Sequence, residues 1–243
     1  MSDLDTARLA LACLDFTNLN DDCSEEDVRA LIAKASTPFG KVAALCIWPR
    51  FVALAAASLK GSGIHLASVV NFPGGDESPA DCVRMTRQAL TDGADEIDIV
   101  LPWRLILQGE TTRARDLLTI VARETKGRAK LKVILETGEL KSDHLIEYAS
   151  HIAIESGADF IKTSTGKTPI SATPQAARIM LNAIRDSGKD VGFKASGGIR
   201  SLRDAGVYLG LCDEIMGTGW ASPQHFRIGA SGLMDALLER LNA

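Results

Sequence analysis

Histidine is scarce in this chain, with four residues (His65, His144, His151 and His225) and no spacing among them that forms a metal set. Cysteine is sparse too: five residues, at positions 13, 23, 46, 82 and 212, with no Cys-x-x-Cys pair. The odd count and wide spacing exclude a disulfide framework and a zinc ribbon, and point to reduced thiols in a cytoplasmic protein. Aromatic residues make up 5%, too few for a base-stacking surface. A net charge of −4 argues against nucleic acid or an anionic membrane as partner. No apolar run approaches the roughly 18 residues that a membrane span needs. The start, Met1-Ser2-Asp3-Leu4-Asp5, lacks the basic region of a signal peptide. No G-x-G-x-x-G follows a strand-like run and there is no Walker A sequence, so neither dinucleotide nor P-loop chemistry is indicated.

What the chain does hold is an alternation of short β-branched runs with longer helix-period runs. The predicted strands are Leu14–Thr17, Val42–Ile47, Leu66–Asn71, Glu96–Leu101, Leu131–Glu136, Phe160–Ser164, Val191–Ala195 and Glu214–Gly217. Helices are expected at Ser24–Ala35, Phe51–Leu59, Ala80–Thr91, Thr112–Thr125, Ser142–Glu155, Pro174–Asp186, Leu202–Leu209 and Ser231–Leu241. Ser78-Pro79 and Thr173-Pro174 read as N-caps with a first-turn proline, and Ser24/Asp27 as a variant capping box. Strands recur about every 25–35 residues, the length of one βα unit. Eight such units without a linker in 243 residues predict one domain over 1–243, a (β/α)8 barrel with an extra N-terminal helix.

A parallel strand covered on both faces should be almost wholly apolar. Four predicted strands break that rule, with Asp98, Lys132, Lys162 and Lys194 at separations of 34, 30 and 32 residues. That spacing can set all four at similar height in consecutive strands, facing the barrel mouth. Glu136 shares the parity of Lys132. Buried ion pairs holding the interior together are the alternative, and a single charge would not decide between the two. Three lysines and a carboxylate favour chemistry. A lysine with an ordinary pKa is only about 0.04% neutral at pH 7. An apolar pocket and a second cation raise that fraction, as Schiff-base lysines require. Lys162 and Lys194, on adjacent strands, are the pair that fits.

Three glycine-rich turns follow the last strands: Thr165-Gly166-Lys167, Ser196-Gly197-Gly198-Ile199-Arg200 and Gly229-Ala230-Ser231-Gly232. Glycine lets backbone amides approach an anion, and barrels of this type often bind phosphate beyond strands 7 and 8. Lys167 and Arg200 are candidate counter-charges, or solvated loop cations. Cys46 could face the same mouth, although a buried structural thiol is the better reading.

The stretches around these residues resemble the deoxyribose-phosphate aldolase family. They are Leu14–Asn20, Ala94–Val100, Leu131–Leu140, Ala158–Lys167 and Gly192–Arg200. The resemblance implies a class I aldolase that reversibly cleaves 2-deoxy-D-ribose 5-phosphate to acetaldehyde and D-glyceraldehyde 3-phosphate, without metal or cofactor. It implies Lys162 as Schiff-base nucleophile, Lys194 as the cation depressing its pKa, Asp98 in the proton relay and Lys132 extending that network. Asp15 and Thr17 would line the sugar hydroxyl side, and Gly166, Lys167, Gly197, Gly198, Arg200 and Ser231 would hold the phosphate. Partners would be small phosphorylated sugars and aldehydes, and copies of the chain in a homo-oligomer. Two departures stand out. Some members carry a second serine where Gly232 stands, and some end in a tyrosine that assists proton transfer, where this chain reads Glu239-Arg240-Leu241-Asn242-Ala243. Rival readings are a Schiff-base barrel enzyme for another phosphorylated sugar and a non-catalytic phosphosugar-binding barrel. Trapping of an imine at Lys162 separates them.

Overall fold

Alternation within each strand sets the architecture. The computed structural model describes residues 1–243 and closes eight parallel strands into a barrel. They are β1 (Leu14–Asn18), β2 (Ala44–Ile47), β3 (His65–Val70), β4 (Glu96–Val100), β5 (Lys130–Ile134), β6 (Phe160–Lys162), β7 (Gly192–Ser196) and β8 (Phe226–Ala230). Each pairs with its neighbour in sequence, and β1 closes the ring on β8 in the register Leu14↔Ile228.

One set of alternate residues faces the surrounding helices. Leu14, Phe16, Leu45, Ile97, Ile99, Leu131, Val133, Ile161, Phe193 and Ile228 belong to one continuous core of 65 buried residues shared with those helices. The main hydrophobic core is therefore the strand–helix layer, and the barrel interior is free to be polar. Inside, Cys46, Ala67 and Val69 make a small separate apolar cluster with Leu19 on the β2–β3 side. The rest of the interior carries charge.

Local signals account for the helix boundaries. Ser24 and Asp27 form both arms of a capping box, with Asp27 N to Ser24 Oγ at 3.2 Å and Ser24 N to Asp27 Oδ2 at 2.8 Å. Pro79 and Pro174 occupy first-turn positions behind the caps Ser78 and Thr173. The N-terminal helix, Asp3–Ala12, is capped by Ser2 and packs against the terminal helix Leu233–Asn242.

The last strand departs from expectation. Glu214–Met216 form the final turn of the helix Leu202–Met216, not a strand. Ala205, Tyr208, Leu209 and Cys212 bury one face of that helix, and Ile215 and Met216 continue the same stripe against the core. Gly217, at φ 97°, ends it. The true eighth strand, Phe226-Arg227-Ile228-Gly229-Ala230, reads poorly in the sequence because its inward positions are an arginine and a glycine.

Candidate active site

Six of the eight strands send charged residues inward, and these residues meet. Asp98 on β4 stands at the centre. Its Oδ1 accepts from Lys132 of β5 at 2.7 Å. Its Oδ2 accepts from Lys162 of β6 and Lys194 of β7, both at 2.8 Å. Lys194 also donates to Asp15 of β1, and Lys132 forms an ion pair with Glu96 of β4 at 2.6 Å. Arg227 of β8 closes the base of the network. It donates to Asp15 at 2.7 Å and to both oxygens of Glu96 at 3.1 and 2.8 Å. All seven side chains are buried; Lys162 and Arg227, at 2% exposure, are the most exposed of them.

Counting charge in this cluster is instructive. Four cationic groups (Lys132, Lys162, Lys194 and Arg227) face three carboxylates (Asp15, Glu96 and Asp98). A buried cation keeps its charge only where carboxylates compensate it, and Lys162, paired with Asp98 alone, has the fewest such partners of the four. Burial pushes its pKa down, Asp98 opposes the shift, and the Lys194 charge reinforces it, leaving the pKa below the ordinary lysine value. Lys194 is also penalised by burial, but Asp15 and Asp98 outweigh this and hold it above the ordinary range. Burial would raise Asp98, yet Lys132, Lys162 and Lys194 keep its carboxyl well below the usual carboxylate range. The arrangement favours a neutral amine beside a fixed ammonium and a fixed carboxylate.

Above this cluster, at the C-terminal ends of the strands, three turns border a cavity of about 210 Å³. Its wall includes Thr17, Gly166, Lys167, Gly197, Gly198, Arg200 and Ser231. The turns after β6 and β7 approach so closely that a Cβ on Gly197 would lie 2.6 Å from Ser171 Oγ, and Gly197 is left-handed at φ 86°. Gly232 is the N-cap of the terminal helix and offers no side-chain cap, so the first amides of that helix remain available to an anion. Lys167 pairs with the exposed Asp21 at 2.9 Å, a contact weak enough to yield to a ligand. Arg200 is exposed on the rim.

Every residue given a role at the site therefore lies in the buried cluster or on the cavity wall, whereas Glu136, expected to face the same way as Lys132, turns to Thr165; one more differs in place. Asp15, expected on the sugar side, is fully buried and does not reach the cavity wall, because it lies deeper along β1, beneath Lys194. Thr17, two residues further up the strand, does reach it. Two members of the cluster escaped the sequence reading. Glu96 shares the parity of Asp98, which was signal enough. Arg227 was hidden by the misplaced eighth strand, although it lies one further βα spacing beyond Lys194. Cys46 is buried beside the charged network, and burial pushes its thiol up, as expected of an inert sulfhydryl. His144 is exposed and stacks on Tyr148. No group of three or more His, Cys, Asp or Glu side chains is arranged to hold a metal ion. No helix is long and apolar enough to cross a membrane.

A closed parallel barrel with a buried charged cluster and a cavity at the C-terminal ends of its strands defines a class of protein, the barrel enzymes that work at that end. Residues 9–218 match the model of the DeoC/LacD family aldolases. The chain belongs to that family. It is 51% identical over 238 residues to a deoxyribose-phosphate aldolase of Agrobacterium fabrum (strain C58 / ATCC 33970), covering 98% of this chain and 92% of the relative. A structure described as a deoxyribose-phosphate aldolase from Toxoplasma gondii ME49 superposes with a TM-score of 0.90 at 26% identity, covering 98% of this chain and 95% of that one. The tetrameric deoxyribose phosphate aldolase of Aeropyrum pernix superposes with a TM-score of 0.79 at 28% identity, covering 100% of this chain and 93% of that one.

Proposed function

We propose that the chain is a class I aldolase that reversibly cleaves 2-deoxy-D-ribose 5-phosphate to acetaldehyde and D-glyceraldehyde 3-phosphate. The observation that carries this reading is the pair of lysine–Asp98 bonds to one oxygen, which favours a neutral Lys162 beneath the cavity. Lys162 attacks the C1 aldehyde and forms a carbinolamine, which loses water to give an iminium. Loss of the C3 hydroxyl proton then breaks the C2–C3 bond, and its electron pair moves into the iminium to give an enamine. Glyceraldehyde 3-phosphate leaves, the enamine takes a proton at C2, and water hydrolyses the new iminium to release acetaldehyde. Asp98, kept anionic by Lys132, orients the water that accepts and returns the protons. Lys194 remains charged and holds down the Lys162 pKa. The covalent imine is itself the electron sink, so the sequence of steps calls for no metal or cofactor. Thr17 faces the sugar, and Gly166, Lys167, Gly197, Gly198, Arg200 and Ser231 bind the phosphate, supported by their shared cavity.

The wider setting follows from the same reading. The partners are small phosphorylated sugars and aldehydes, not nucleic acid or membrane. A cytoplasmic location is supported by five free, buried cysteines, and self-association by the tetrameric relative. The test is a coupled assay for glyceraldehyde 3-phosphate release with chelator present, together with borohydride trapping of acetaldehyde. Release that survives chelation and an adduct at Lys162 are expected. Absence of the adduct sinks the mechanism, and absence of release sinks the substrate.

A further inference from the structure

Glu136 is fully buried close to the lysine cluster, where the Lys162 charge acts on it, but it forms no hydrogen bond or ion pair with the lysines. Its carboxylate instead accepts from Thr165 Oγ1 at 2.5 Å, from Thr165 N at 3.3 and 3.4 Å, and from Thr168 Oγ1 at 3.2 Å. Thr165 Oγ1 in turn accepts from the Lys167 amide at 3.0 Å. A continuous run of hydrogen bonds thus leads from the end of β5 to the turn that holds Gly166 and Lys167.

The backbone of Glu136 lies in the left-handed region, at φ 55° and ψ 59°, a strained conformation for a residue other than glycine. The reason is visible in its neighbours. Leu135 and Thr137 donate their amides to the carbonyls of Lys162 and Thr163, each at 2.9 Å, which extends the β5–β6 pairing past the ends of both strands. Turning Glu136 through the left-handed region keeps both bonds and aims its side chain at Thr165. The far end of the same loop is seated too. A Cβ on Gly138 would lie 2.2 Å from the Ile170 carbonyl oxygen, so the short helix Thr137–Leu140 supports the loop directly.

We propose that Glu136 is a positioning residue for the substrate phosphate. It fixes the loop that follows Lys162, so that phosphate binding at Gly166 and Lys167 aligns the sugar aldehyde with the Lys162 amine. This rests on reading that turn as part of the phosphate site. A fixed loop turns remote binding energy into rate, as expected when a non-reacting group of the substrate is used for orientation.

The experiment compares 2-deoxyribose 5-phosphate with unphosphorylated 2-deoxyribose in the wild type, Glu136→Gly and Glu136→Gln. Glycine accepts the left-handed backbone and removes the whole side chain, carboxylate included. Glutamine keeps an acceptor oxygen for the threonine hydroxyls. For Glu136→Gly we expect kcat/KM on the phosphorylated sugar to fall about 10- to 100-fold. Its kcat/KM on 2-deoxyribose should stay within about twofold, as should trapping of acetaldehyde at Lys162, since neither uses the phosphate. Glu136→Gln should recover most of the loss. Equal losses on both sugars, or no loss on the phosphorylated one, overturn the positioning role. A wild type without preference for the phosphorylated sugar removes the phosphate site itself, and the proposal with it. Should the glycine variant not fold, Glu136→Asn carries the same expectations, because it tolerates the backbone but is too short to reach Thr165.

Discussion

Lys162 and Lys194 donate to the same oxygen, Oδ2 of Asp98, each at 2.8 Å. Two ammonium groups held against one oxygen repel each other, and the one with fewer carboxylate partners yields its proton. Lys194 has Asp15 as well as Asp98; Lys162 has Asp98 alone. The neutral amine is therefore assigned by geometry. In Lys194→Met the depressing charge is gone and the Lys162 pKa rises. The acidic limb of the kcat/KM profile should move to higher pH by about one unit or more, with lower activity at pH 7. A profile measured from pH 5 to 10 checks this. An unshifted limb would remove Lys194 from its role.

Lys162→Met removes the amine and the surplus charge together. Activity on the phosphorylated sugar should disappear and acetaldehyde trapping should fail, with the fold intact. The remaining cluster has three cations and three carboxylates, so stability at pH 7 should equal or exceed that of the wild type. The pH dependence also has a definite sign. Folded Lys162 has a lowered pKa, so above that value the unfolded chain binds a proton there that the folded chain does not. Wild-type stability relative to the variant should therefore rise with pH until about 10.4, the unfolded lysine value. Urea titrations at pH 7 and 9.5 measure it. A falling difference would mean that Lys162 is charged in the folded protein.

The barrel was legible in the sequence because its outward strand residues, such as Ile97, Ile99, Leu131 and Val133, are β-branched or leucine at a clear period. The site was legible for the complementary reason: Asp98, Lys132, Lys162 and Lys194 interrupt those runs where burial would otherwise exclude charge. Phe226–Ala230 failed on both counts. Its inward Arg227 and Gly229 broke the apolar signal, while Ile215 and Met216 supplied a false one at the end of a helix. Depth along a strand was also invisible. Nothing in the sequence separates Asp15, sunk beneath Lys194, from Thr17 on the cavity wall, since both share one face. Glu136 was seen by parity alone, and its turn away from the lysines depends on a left-handed backbone that spacing cannot reveal.

Lys132 and Arg227 are structural counterparts to Lys162. Removing either takes ion pairs from buried carboxylates that each keep at least one other cation. Lys132→Met strips Asp98 and Glu96 of contacts at 2.7 and 2.6 Å and should destabilise the fold by less than the roughly 3–5 kcal/mol of a fully bared buried charge. Arg227→Met should cost as much, because Glu96 loses a bidentate partner and Asp15 one of its two closest cations. The two differ in activity at temperatures where both are folded. Lys132 touches Asp98, so its loss should lower kcat; Arg227 reaches Asp98 only indirectly, through Asp15 and Glu96, and should lower it less. Chemical denaturation and steady-state kinetics on both variants check this. Equal stability to wild type in either one would show that the cluster rearranges or neutralises its carboxylates.

Gly229 on β8 packs directly against the side chains of Lys194 and Ser196. A Cβ there would lie 2.7 Å from Ser196 Oγ and 3.0 Å from Lys194 Cε. The lysine stem passes over the glycine on its way to Asp15 and Asp98, and a methyl group would push it aside. Gly229→Ala should therefore act on the chemistry through Lys194, besides any effect on the cavity wall that Gly229 and Ser196 line. We expect kcat to fall about 10- to 100-fold, since small displacements of a catalytic group cost that much. A shift of the acidic limb in the same direction as in Lys194→Met should accompany it, with overpacking destabilising the fold by about 1–3 kcal/mol. The discriminating measurement is the pH profile. A variant with reduced kcat but an unmoved acidic limb would show that the alanine disturbs Ser196 and the cavity wall, leaving the Lys194–Asp98 contact in place.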